Sequence, residues 1–228
     1  MLSIQPIQPK LADMIKQTYK RDTHAISSLA RWQSGFSLIE ILVTIAILAI
    51  LLGLAMPSFT SIINSNRLSS AGNEFLATLQ AARIEAIRRN ARVVVCTSNN
   101  ADSGAPTCAT SGVIRGYVAF VDDGAGVALA ARNDALDAGE AVLRANAMSD
   151  NLQIVVSPAV ATTGSISYRS SGLAHASNGA LLAGSVSICM ATTTPAENVR
   201  TVQIGTGGSR VSVSKVDAPT NTCPAPTN

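Results

Sequence analysis

Histidine and aromatic side chains are nearly missing from this chain. Its 228 residues include two histidines, one tryptophan, three tyrosines and four phenylalanines, and only 14% are charged. That scarcity excludes much chemistry. There is no C-x-x-C pair, and His175 is the only histidine after residue 56, so zinc ligation has too few ligands. G-x-S-x-G and H-E-x-x-H are both absent, and a Ser/His pair would have to use His175, in a Ser/Gly-rich stretch with no acidic orienter. Gly205-Thr206-Gly207-Gly208 lacks the following Lys-Ser/Thr of a phosphate loop and reads as a turn. Asp122, Asp123, Asp134 and Asp137 hint at calcium, but Gly124 and Gly126 occupy positions that an EF-type loop gives to Asp or Asn. A hairpin turn is the better reading. Neither an enzyme nor a cofactor or metal site is indicated.

Charge is absent where it matters most. Residues 41–56 contain no charged side chain, and Thr44 is their only polar one. Residues 1–35 hold five basic groups (Lys10, Lys16, Lys20, Arg21, Arg31) against Asp13 and Asp22, while the remainder balances at twelve of each sign. The net charge of +3 therefore belongs to the N-terminal stretch and says nothing about nucleic acid. It bears on topology instead. Lys20, Arg21 and Arg31 precede the apolar run, whereas Arg67 is the one basic residue in the twenty that follow, a bias that keeps the N-terminus cytoplasmic and exports the rest.

All four cysteines, Cys96, Cys108, Cys189 and Cys223, lie on the exported side, which suits two disulfides in an oxidising compartment. Three pairings are open. Nearest-neighbour pairing is the simplest, closing loops 96–108 and 189–223, each contributing roughly 3 kcal/mol by restricting the unfolded chain.

Residues 1–35 are polar, contain Pro6 and Pro9 and show no sustained period, as expected of a leader. Residues 36–56 are long enough to cross a bilayer as a helix. Pro57 would kink or end it. The apolar period resumes beyond, at Leu68, Gly72, Phe75, Leu79, Ala82 and Ala86, with Leu76 and Ile87 widening the stripe and Glu85 and Arg89 forming an i,i+4 pair away from it. One kinked helix over 36–91 is expected, roughly 80 Å long. Its first half, 36–57, exceeds what a compact domain needs, while 58–91 packs on a head. After Arg92 the period changes to two. Runs at 92–97, 112–121, 152–157, 165–169, 184–190, 199–204 and 210–216, separated by turn-rich segments, predict about seven short antiparallel strands over 92–228. Arg83, Arg88, Arg89 and Arg92 form a basic cluster, which a helix C-terminus accounts for by its dipole. The fold class is α+β.

Glu40 is the anomaly of the apolar segment. A carboxylate in a membrane helix costs on the order of 2.5–3.5 kcal/mol at the centre, less near an end. A cut after Gly35 would leave the new amine of Phe36 one helical turn from Glu40, and a neighbour's amine could pair with that carboxylate in a bundle of staggered helices. Gly35-Phe36-Ser37-Leu38-Ile39-Glu40 before an apolar helix resembles the class III signal of type IV pilins and type II secretion pseudopilins. The resemblance implies cleavage between Gly35 and Phe36 by a prepilin peptidase, N-methylation of Phe36, a kinking proline at Pro57 and a pilin-like fold. It also implies a single-pass inner-membrane precursor with a periplasmic head, in contact with lipid before an assembly platform packs it with other major and minor pilins into an extracellular filament. The leader is long, and Met14 is an alternative start that would shorten it.

Later residues narrow the resemblance. Residues 83–90 leading into Val93-Val94-Val95-Cys96, then 116–122, 140–144, 166–168 before Gly172, and 187–189 before Val199-Arg200, are similar to the GspH/FimT/FimU group in order. Paired cysteines resemble FimU and FimT minor pilins more than GspH pseudopilins. FimT-type pilins bind DNA through a Gly-Arg-x-Arg element, and the corresponding place here reads Gly208-Ser209-Arg210-Val211-Ser212, without the second arginine. A phosphate site would need Arg200, Arg210 and Lys215 together. Without a wider basic face such a site is weak and salt-sensitive, so a minor pilin that helps to initiate or occupies the tip of a pilus is favoured over one that binds DNA for uptake; the resemblance of the paired cysteines favours it over a secretion pseudopilin.

Overall fold

The computed structural model describes residues 35–124, 133–218 and 222–227, the side chains of residues 54–57 excepted. The leader up to residue 34, Gly126 and the Pro57 ring lie outside that description. The chain divides into two units, Met1–Ala49 and Ile50–Asn228.

Helix α1, Leu38–Arg89, runs without a break through Pro57, so the proline does not end it. In the first unit its described residues are all exposed apolar side chains apart from Glu40 and Thr44. The Ser37 carbonyl accepts the first helical bonds, from the N–H groups of Glu40 and Ile41. At the other end Asn90 takes a left-handed φ of 50°, and Ala91 N–H reaches back to Ala86 O at 3.2 Å, the reach-back that closes many helix C-termini. Arg88 and Arg89 in the last turn both hold Glu85, at 2.7 Å each.

In the second unit Leu68, Ala71, Gly72, Phe75, Leu79, Ala82 and Ala86 form one buried stripe at three- and four-residue spacing. Leu76 is half-buried. Ile87, read as widening the stripe, is 50% exposed and instead covers the Gly172 turn, where an added Cβ would come within 2.8 Å of its Cδ1.

Among the described residues nine strands follow, against about seven expected: β1 Arg92–Ser98, β2 Gly116–Asp122, β3 Ala141–Ala147, β4 Leu152–Val156, β5 Ser165–Tyr168, β6 Ala174–His175, β7 Gly184–Met190, β8 Val199–Ile204 and β9 Val211–Val216, with a short helix α2, Pro158–Ala161, before β5. They form two antiparallel sheets, ordered β3-β2-β1-β5-β6 and β4-β7-β8-β9. The helix stripe shares one core with the inward residues of both, among them Val93, Val95, Tyr117, Ile166, Ile154, Ile188 and Val202. Phe75 meets Tyr117 edge to face, ring centroids 4.9 Å apart.

The outer faces are also closed. Disulfide Cys96–Cys108 staples a loop over Val94, Ala101, Val118 and Phe120, which is why β1 and β2 read as continuous apolar runs and not as alternating ones. Disulfide Cys189–Cys223 holds the tail against β7, and Ser185 Oγ donates to Thr227 O farther along, so the tail runs antiparallel to that strand. Gly208, at φ 67°, joins the sheets: its carbonyl accepts from Ala174 N–H at 2.9 Å, and a Cβ there would fall 2.5 Å from the Ala174 oxygen.

Candidate functional site

Gly35, Phe36 and Ser37 are exposed and precede the first helical turn. A Cβ on Gly35 would meet nothing within 4 Å, and its backbone is not in the left-handed region, so nothing in the chain's own fold calls for glycine there. Phe36 is 77% exposed. Glu40 is exposed in the first turn of α1 and makes no ion pair among the described residues. Ser37 and Glu40 have the S-x-x-E spacing of a helix-capping box, and a carboxylate at a helix start is favoured by the dipole. Glu40 is therefore placed for a local helical role beside any intermolecular one, which its reading as a membrane anomaly leaves out. An 18-residue window of α1 reaches a mean hydropathy of 2.8, long and apolar enough to cross a membrane.

In the head, one of the three charged residues read as candidate binders is committed to the fold. Arg200 is a correction. It is 2% exposed on the inner face of β8. Its Nε donates to Ser69 Oγ at 3.2 Å and Nη2 to Ser65 Oγ at 3.2 Å, while Nη1 donates to the carbonyls of Glu197 at 2.8 Å and Val199 at 3.0 Å. Burial pushes its pKa below the ordinary arginine range, and Glu197 opposes the shift. A guanidinium enclosed under a helix cannot reach a phosphate in solution. Lys215 stands directly opposite Arg200 on β9, but it is exposed where Arg200 is buried, and Arg210, exposed just before β9, lies five residues away, roughly 16 Å in extended chain. The trio thus does not converge. The turn before Arg210 is itself a packing element, since Arg83 Nη1 donates to Ser209 O at 2.7 Å.

The remaining candidates resolve similarly. Arg92 occupies the place that calcium would take: its Nε lies 3.1 Å from Asp122 Oδ2 and its Nη1 3.1 Å from Asp134 Oδ1. Among the described residues no group of three His, Cys, Asp or Glu is arranged for a metal ion. His175 Nδ1 bonds Gly179 O at 2.9 Å within a turn. The glycine run 205–208 closes the β8–β9 hairpin, with Gly208 N–H bonded to Gly205 O.

An exposed apolar N-terminal helix followed by an antiparallel head defines a pilin-like subunit, a structural protein and not an enzyme. The comparisons agree. Residues 33–56 match the prokaryotic N-terminal methylation motif. Residues 71–208, more than half of the chain, match the model described as type II transport protein GspH, and the chain belongs to that family. It is accordingly a minor pilin or pseudopilin, of the kind shared by type IV pili and type II secretion. Among curated proteins nothing matches. Solved structures similar to it include the type IV minor pilin FimU of Pseudomonas aeruginosa in two crystal forms. One has 19% identity, 69% of this chain and 97% of the other covered, and a TM-score of 0.39; the second has 21%, 70%, 94% and 0.38. Another is the minor pseudopilin EpsH of the Vibrio cholerae type 2 secretion system, at 12% identity, 66% and 97% covered, and a TM-score of 0.38.

Proposed function

We propose that this chain is a minor type IV pilin whose mature form begins at Phe36 and which helps to initiate a pilus or occupies its tip. The observation that carries the reading is Gly35: it lies inside the methylation motif, and the fold itself has no use for a glycine there. A prepilin peptidase that must draw the backbone close at the cut would need one. Before assembly, residues 36–57 anchor the precursor in the inner membrane with the head in the periplasm, where an oxidising environment suits two disulfides. After cleavage the Phe36 amine of a neighbour pairs with Glu40, turning the cost of a carboxylate in lipid into a preference for the assembled state. The head motifs' resemblance to FimU and FimT supports a place at the filament's start or tip, with other pilins and the assembly platform as partners. The description of the matching family favours a second reading, a type II secretion pseudopilin. Deleting the gene separates them: loss of pili with secretion intact supports the first, and the reverse supports the second.

The processing test is N-terminal mass analysis of protein from cells containing the peptidase. N-methyl-Phe36 is expected, with Gly35→Leu accumulating as uncut precursor. A mature chain beginning near Met56 would refute the proposal. For Glu40, abundance in sheared filaments is compared at equal membrane levels. Glu40→Ala loses both charge and cap, whereas Glu40→Gln keeps a capping side chain. If the ion pair governs assembly, both fall strongly. Normal incorporation of Glu40→Gln would leave only the capping role.

A further inference from the structure

Two acidic side chains face each other at the open end of the β2–β3 ladder. Val121 pairs with Ala141 on the last rung, and extending that register by one residue sets Asp122 across from Glu140, which immediately precedes β3. Arg92 pairs with Asp122 from β1. The three therefore form a row, Arg92–Asp122–Glu140, across three strands. Opposed residues hold their Cβ atoms roughly 4.5–5.5 Å apart, within carboxylate reach.

Both acids are buried, Asp122 at 0% and Glu140 at 8% exposure. One oxygen of each is engaged. Asp122 Oδ2 lies beside Arg92 and accepts from Asp134 N–H at 3.2 Å, and Glu140 Oε2 accepts from Asp137 N–H at 2.9 Å. The other oxygen of each, Asp122 Oδ1 and Glu140 Oε1, is buried without a hydrogen-bond partner. Arg92 lies against Asp122 and donates to Asp134, its own Nε being buried without a hydrogen-bond partner, and among the described residues no cation contacts Glu140. Two ionised carboxylates can only accept, and like charges directly opposed destabilise a sheet. A single proton removes both defects.

We propose that Glu140 keeps its proton above the pH at which exposed glutamates lose theirs, its Oε1 donating to Asp122 Oδ1, and that this bond is a pH-sensitive clasp at the end of the β2–β3 hairpin. The surrounding charges fit. Burial pushes Glu140 above the ordinary carboxylate range; the N–H groups of Asp137 and Gly124 oppose this, and the charges of Asp122 and Asp137 add to it. Asp134 is raised too, by burial first, with Arg92 and Arg169 opposing and Asp122 adding. The folded chain thus keeps a proton that the unfolded chain releases near the ordinary glutamate value. Stability falls as pH rises from there through the pair's own titration, and is level above it.

The experiment is thermal unfolding of the full chain in detergent micelles from about pH 5 to about pH 9, with calcium or a chelator, comparing wild type with Glu140→Gln. A glutamine amide donates to Asp122 Oδ1 at every pH. Glu140→Gln is therefore expected to flatten the part of the slope that the pair supplies, and to match or exceed wild-type Tm at the alkaline end. In the wild type, carboxyl carbon NMR should show Glu140 titrating above the exposed glutamates, a readout independent of how the variant folds. Parallel pH profiles for the two proteins, or a Glu140 resonance ionised with the exposed glutamates, would overturn the proposal. So would a calcium-dependent rise in Tm lost in Glu140→Gln, which would show the pair holding a cation in place of a proton.

Discussion

Arg200 tests most directly whether the head's charges serve folding or binding. Arg200→Ala deletes four hydrogen bonds from a charged donor, releases Ser65 and Ser69, and leaves two carbonyls facing a void. Hydrogen bonds to charged groups are worth about 1.5–3 kcal/mol each, but the guanidinium's desolvation offsets much of that sum. Serines in a helix can also turn back to their own backbone, so their loss costs little. A net loss of about 3 kcal/mol remains, which lowers Tm by about 6–12 °C in a domain of this size. Thermal unfolding of the full chain in detergent micelles measures it. Arg200→Lys recovers only part, because one ammonium cannot reach partners spread around a planar fork. A cycle with Ser65→Ala and Ser69→Ala should give a coupling of about 1 kcal/mol or more, since all three belong to one network. The structural role fails if Arg200→Ala leaves Tm unchanged, or if Arg200→Gln weakens duplex DNA binding with stability intact.

Two further perturbations probe the head. Replacing Cys96 and Cys108 together by serine should cost about 3 kcal/mol by loop closure, and somewhat more because the loop also covers Phe120 and Val118. The shift in denaturant midpoint measures it, and peptide mapping should still find Cys189 joined to Cys223. Burial pushes the Tyr117 and Tyr168 hydroxyls up to about 12 from 10.0. The unfolded chain ionises first, so stability is level below about pH 10 and falls from there through about pH 12. Tyr168→Phe, which removes a buried hydroxyl with no partner, should be close to neutral at pH 7 and should shrink the alkaline loss.

Much of this fold is readable from residue period alone, and the exceptions have physical causes. The stripe from Leu68 to Ala86 is legible because small and apolar residues recur at helical spacing against polar neighbours. β1 and β2 are legible because burial on both faces demands continuous apolar runs. β3 is not, because it is an exposed sheet edge. Its polar residues belong to the helix seam, where Arg144 donates to Thr78 Oγ1 and Asn146 donates to Glu74, and no alternation survives. β6 is two residues long, below any pattern, and exists because it pairs with β5 and receives the Gly208 turn.

The misplacement of Arg200 has a more instructive origin. Nearness in sequence groups basic residues that a strand sorts apart by parity. Arg200 shares its face with Val202 and Ile204, both core residues, a parity legible in Val-Arg-Thr-Val-Gln-Ile itself. The same rule aligns Arg92, Asp122 and Glu140 once register is known. Within the head, then, charge tells more about how the sheets close than about what they bind. At Gly35 and Glu40 the logic reverses. The fold asks for no glycine at 35, and the capping role at 40 would be met equally by an uncharged glutamine. A glycine that the chain's own fold leaves unexplained, and a charge that its helix start explains only in part, support the proposed peptidase cut and the proposed pairing with a neighbouring subunit.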